Sequence, residues 1–103
     1  METIGQIIRA SRKDQGLLLR QFAAKLDMDT AILSKIERGE RKPTREQILK
    51  IAEICHLDKE DILIQYLSEK IAYDIASEDV APKVLIAAEK KISYLKSLKN
   101  GKI

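Results

Sequence analysis

The sequence predicts an all-α protein, on three observations. Aliphatic residues recur at steps of three and four through most of the 103 positions. Residues suited to capping stand ahead of four of the six periodic runs. No segment shows the alternation of a half-buried strand, and no internal repeat or low-complexity tract interrupts the pattern. Composition points the same way: hydrophobic residues make up 45% and aromatic ones only 4%, with no Trp. A core built from Ile, Leu and Ala, mixed with Lys, Glu and Gln, favours helices over strands.

The elements follow in order. Thr3 is suited to cap a first helix, with Gln6 as its capping-box partner. Ile4, Ile7, Ile8 and Ser11 form its inward face, and Gly16 ends it. Leu19, Phe22, Ala23 and Leu26 mark a short second helix running to Lys25 or Leu26. Asp27-Met28-Asp29 is a tight connection, and Asp29 caps a third helix that carries Leu33 and Ile36 inward before Gly39. Glu40 to Pro43 is a loop, because the residue before a proline is pushed away from helix. Thr44 and Gln47 box the start of a fourth helix whose buried stripe is Ile48, Ile51, Ala52 and Cys55. Asp58 caps a long fifth, with Leu57 and Ile62 spaced as a hydrophobic staple. Ser77 to Pro82 breaks the pattern, and a sixth helix runs from Ala81 to Lys99.

Length allows one domain and a small appendage, here divided as residues 1–64 and 65–103, and is short for an enzyme with a deep cleft. No apolar run reaches membrane-spanning length and no signal-peptide pattern opens the chain, so a cytoplasmic protein is expected. Cys55 has no second cysteine to pair with, which fits a reducing compartment. The net charge of +3 is modest, but its distribution is polarised. Residues 1–45 hold ten basic and six acidic side chains, a balance of +4. Residues 46–79 hold three and nine, giving −6, and residues 80–103 hold six and one, giving +5. Such asymmetry provides basic faces suited to a polyanion.

The most informative stretch is Leu17 to Gly39, LLLRQFAAKLDMDTAILSKIERG. It reads as two short amphipathic helices joined by a three-residue turn, the layout of a helix-turn-helix. Ala23 is the small residue needed where the second helix crosses the first. Phe22, Leu26, Met28, Leu33 and Ile36 would anchor the pair. Asp27 stands where the turn wants a residue tolerant of left-handed backbone.

Together with Ile8-Arg9, Arg12, Gly16-Leu17, the run SKIERGERKP from Ser34 to Pro43, and Ile48 to Leu57, this stretch resembles the lambda-repressor-like (Cro/repressor) helix-turn-helix family over residues 3–64. The resemblance implies a five-helix DNA-binding domain, to which this chain adds an extended fifth helix and a C-terminal sixth. It further implies a largely buried ion pair between Arg12 and Glu37. It places the recognition helix at Thr30 to Arg38, with Thr30, Ala31, Ser34 and Lys35 facing base edges in the major groove. Ile32 either touches a thymine methyl or lies against the framework. Arg38, Arg41 and Lys42 would grip phosphates. Where many relatives open helix two with a phosphate-binding Gln, this chain has Leu19 followed by Arg20, which leaves Arg20 as the substitute contact.

No catalytic constellation is visible. Cys55 and the single histidine, His56, are adjacent, which is not metal-ligand spacing, and Cys55 falls on an apolar stripe. Asp58, Glu60 and Asp61 are explained by the positive end of a helix, and no phosphate-binding glycine loop appears. Neither catalysis, a cofactor nor a metal is expected. In the last helix Val84, Leu85, Ala88, Ile92, Leu95 and Leu98 form an apolar stripe. That stripe either folds back on helix five or joins two chains. The second is favoured, through Leu85, Ala88, Ile92 and Leu95, because the core of five helices is already closed; the basic residues there also admit contact with flanking DNA. The expected function is a homodimeric repressor-type transcription regulator on a palindromic duplex site. The alternative is an antitoxin-like protein whose C-terminal helices hold a protein partner.

Overall fold

The computed structural model describes residues 2–100, and among them every regular element is a helix. The helices are α1 (Ile4–Asp14), α2 (Leu19–Lys25), α3 (Thr30–Glu37), α4 (Arg45–Cys55), α5 (Lys59–Ile75) and α6 (Ala81–Lys99). The chain divides into two compact units, residues 1–70 and 71–103, so the first unit extends past position 64 into α5.

Local chemistry sets the helix boundaries in the first unit. Thr3 and Thr44 each accept a hydrogen bond at Oγ1 from the backbone N–H three residues on, at 3.2 Å. Gln6 and Gln47 return the bond to the capping residue's own N–H at 2.9 Å. Each such cap contributes about 1 kcal/mol by satisfying donors the helix leaves open. Gly16 and Gly39 take the left-handed backbone, with φ of 69° and 78°, that turns the chain away after α1 and α3. At the end of α4 the same task falls to His56, at φ 56°, where sequence patterning gives no glycine to mark the stop.

The core of the first unit is mostly aliphatic, with the rings of Phe22 and Tyr66. Phe22, Ile8, Leu33, Ile36, Ile48 and Ile51 are its largest fully buried side chains, with Cys55, Ile62 and Tyr66 closing the α4 and α5 side. α3 packs on both α1 and α2, and α1 also meets α4. Two contacts set how closely α1 lies in this arrangement. At Gly5 an added Cβ would stand 2.5 Å from the Ile36 carbonyl oxygen and 2.8 Å from that of Glu37. Only glycine lets α1 approach the end of α3 that closely. At the start of α1 the Ile4 N–H donates to Glu69 Oε1 at 3.0 Å, so α5 supplies a carboxylate to an open helix end.

After the last turn of α5, the Glu78 N–H donates to the Ile75 carbonyl and the Ala81 N–H to that of Glu78. Pro82 sits in the first turn of α6, where its missing N–H costs nothing. None of the residues from Ile71 to Asn100 is buried.

Candidate nucleic-acid interface

The α2–α3 pair is held by backbone contacts that place its residues closely. The Met28 N–H donates to the Ala23 carbonyl at 2.9 Å, and Asp27 between them takes φ 54°. Ala23 is buried at the crossing, where a larger side chain would push the helices apart. Asp29 then caps α3: its Oδ1 accepts the Ala31 N–H at 2.7 Å, a charge-assisted bond at the positive helix end.

α3 is divided sharply by burial. Leu33, Ile36 and Glu37 turn inward, while Thr30, Ala31 and Lys35 are exposed and Ser34 is half-buried. Positions 30, 31, 34, 35 and 38 share one face of a helix with 3.6 residues per turn. The four residues expected to read bases thus come together on one outer face of α3. Ile32 is half-buried and packs against the core, which favours its framework role.

Exposed basic residues lie on α2, at the end of α3 and on the loop that follows it. Arg38 follows α3 directly and is exposed; its Nε pairs with Glu40, also exposed. Arg41 and Lys42 lie on the next loop, both exposed, ahead of a buried Pro43 that pins the loop to the domain. Arg20 is exposed on α2. Leu19, beside it, packs toward the core instead. The open N–H of Leu18 is satisfied within the chain, donating to Gln21 Oε1 at 2.8 Å.

Arg12 and Glu37 join α1 to the end of α3. Arg12 Nε donates to Glu37 Oε2 at 2.8 Å and a terminal nitrogen donates to Oε1 at 3.1 Å, a two-pronged pair. The other terminal nitrogen donates to the Leu17 carbonyl at 2.9 Å, so the guanidinium also fixes the α1–α2 connection. The side chains are 12% and 5% exposed. At that burial, desolvation offsets much of the attraction, and the pair's geometric effect is to tie α1 to the end of α3. Gly5 beneath the same end of α3 serves the same positioning, and sequence patterning does not assign it that role. The available signal is a glycine inside an otherwise regular amphipathic helix.

Among the described residues no group of three or more His, Cys, Asp and Glu side chains could hold a metal ion. Burial, with the negative charge of Asp14 second, pushes the Cys55 thiol up. No helix among the described residues is long and apolar enough to cross a membrane. Of the residues expected at a chain–chain contact, Leu85, Ile92 and Leu95 are exposed and Ala88 is half-buried.

Comparison with known proteins agrees with this geometry. A helix-turn-helix family model matches residues 8–62, more than half of the chain. The transcriptional regulator ClgR of Mycobacterium tuberculosis, in strains CDC 1551 / Oshkosh and ATCC 25618 / H37Rv, is 32% identical over 63 residues. That match covers 61% of this chain and 56% of the relative, so it spans little more than half the relative's length. Among solved structures, the clp gene regulator ClgR from Corynebacterium glutamicum superposes with a TM-score of 0.55 at 21% identity, covering 93% of this chain and 88% of its own. SinR, from the SinR protein/SinI protein complex, gives 0.55 at 24% identity, covering 92% and 99%. These two likenesses are of fold. By the family match, the chain belongs to the lambda-repressor-like helix-turn-helix family of DNA-binding transcription regulators.

Proposed function

We propose that this chain is a sequence-specific regulator that occupies a palindromic operator as a homodimer, acting by binding alone. The outer face of α3 carries the reading: Thr30, Ala31, Ser34 and Lys35 share it, while the opposite face is locked into the core. Lys35 would donate to guanine O6 and N7, and Ala31 with the Thr30 methyl would meet thymine methyls. Arg38, Arg41, Lys42 and Arg20 would hold phosphates and set the register without reading sequence. Two copies would present their α3 helices about 34 Å apart, one turn of duplex. Leu85, Ala88, Ile92 and Leu95 on α6 would join them. Selection of bound sites from random duplexes tests all of this. The expected product is an inverted repeat with half-sites one turn apart; an unrelated set of sequences, or a single half-site, would overturn the dimeric operator reading.

A second reading has its own observation. The apolar side chains of α6 are exposed, and a structural neighbour, SinR, was solved in complex with another protein, SinI. In that reading α6 receives a protein partner rather than a second copy. Sedimentation of the purified chain separates them: a regulator of the first kind is a dimer alone.

A further inference from the structure

A groove of about 390 Å³ opens between α1 and the start of α5, within the first unit. Ile7, Leu57, Ile62 and Ile64 form its apolar floor, and Asp58 and Asp61 stand at its rim. Ile64 is 55% exposed, and Leu67, three residues on, continues its face as another exposed aliphatic side chain. The groove shares no residue with the outer face of α3.

α6 has the complementary character. Leu85, Ala88, Ile92 and Leu95 recur at steps of three, four and three, and no residue of the helix is buried. Lys91 borders this stripe on one side and Lys96 on the other. The helix holds five lysines against the single carboxylate of Glu89, whereas the groove rim holds two aspartates with Glu60 between them in sequence.

We propose that this acidic-rimmed groove receives α6 of a second copy. Leu85, Ile92 and Leu95 enter the apolar floor, and in either direction of the helix a flanking lysine faces the aspartate rim. Burial of aliphatic surface holds the contact, and the charges select its orientation. Two-fold symmetry repeats it, each copy giving one helix and receiving one, so both grooves close together. The inference rests on the homodimer reading and adds which surface receives α6.

Disulfide cross-linking of the full chain tests it, in a background where Cys55→Ala removes the native thiol. One population carries Ile64→Cys and the other Ile92→Cys, with different tags. The expected product is a mixed disulfide dimer that neither population forms alone. Ile92→Cys linking only to itself would mean that α6 packs on α6, which overturns the groove while leaving the homodimer intact. A chain carrying both cysteines that closes on itself as a monomer would assign the groove to its own α6, and that overturns the proposal equally. A second measurement does not depend on disulfide geometry: Ile64→Glu should weaken dimerisation about tenfold or more by placing a charge in the seam. Its thermal midpoint at a concentration where the chain is monomeric should not move, since Ile64 is exposed within its own chain. Unchanged dimerisation overturns the proposal. A wild-type chain that sediments as a monomer would sink the homodimer reading itself, and this inference with it.

Discussion

Between Ile4 and Tyr66, thirteen hydrophobic residues are buried in one core, whereas none of the residues from Ile71 to Asn100 is. The difference is not composition. α6 is as rich in aliphatic side chains as α1, yet it leaves Val84, Leu85, Ile86, Ile92 and Leu95 exposed. Nor is it local helix chemistry, because α6 has a favourable proline in its first turn. What separates the regions is closure. In the first unit most apolar faces meet another within the same chain, Ile64 and Leu67 on α5 being exceptions. Residues 71–100 present an amphipathic face with no core of their own, and such a face is stable when something covers it.

Truncation before Val80 should leave a folded, largely monomeric first unit by circular dichroism and sedimentation. Its operator affinity should fall by about 10²- to 10⁴-fold, because two half-sites no longer bind as a linked pair. A truncated protein that remains dimeric would place association in the first unit.

The next test compares one deletion in each region. Phe22→Ala should cost about 3–5 kcal/mol in chemical unfolding, since the ring is fully buried in the core. Leu95→Ala should leave the unfolding of the monomer nearly unchanged and weaken the dimer instead. Equal losses in monomer stability would mean that α6 shares the first core.

Within the first unit, the Arg12–Glu37 pair ties α1 to the end of α3. Glu37→Gln leaves the Arg12 guanidinium largely buried beside a neutral group, at a cost of about 3 kcal/mol. Replacing both by Met and Leu should recover much of that stability in a double-mutant cycle. Operator binding should recover less if the pair's task is to fix where α3 stands.

The two regions also differ in how much could be read from the sequence. Caps at Thr3, Asp29 and Thr44, and the left-handed Asp27, were legible because each is a local decision of a residue type with its own backbone. So was the outer face of α3, once Leu33 and Ile36 were assigned inward. The stop at His56 was not, because a side chain takes a left-handed position usually left to glycine. Gly5 and the Glu69 contact to Ile4 escaped for another reason: both depend on helices distant in sequence meeting closely, which no window of the chain contains. The pairing of Arg38 with Glu40 was equally unannounced. For α6 the stripe was legible but not what covers it, since periodicity shows that a face is apolar and not whose surface it meets.

On the DNA side, Lys35→Ala should cost about 1–3 kcal/mol at one base pair in each half-site and relax discrimination there. The measurement is affinity across single-base variants of the selected site. A loss spread evenly over all variants would move Lys35 to the phosphate-contacting set.

The loop after α3 should respond more weakly to substitution. If Arg41 neutralises a phosphate, Arg41→Ala should lower the slope of log affinity against log salt by about one unit and weaken all sequences alike. Arg38 is a different case because Glu40 already holds its guanidinium. A surface pair of this kind is worth less than about 1 kcal/mol, so a phosphate can displace the carboxylate at little cost. Glu40→Gln should therefore tighten binding only slightly, by severalfold at low salt, and the gain should fade as salt screens both interactions. Its effect should be the same on every duplex, since a phosphate contact carries no base information. Should Glu40→Gln change site preference instead, the carboxylate would be holding Arg38 away from a base edge, and Arg38 would join Lys35 among the residues that read sequence.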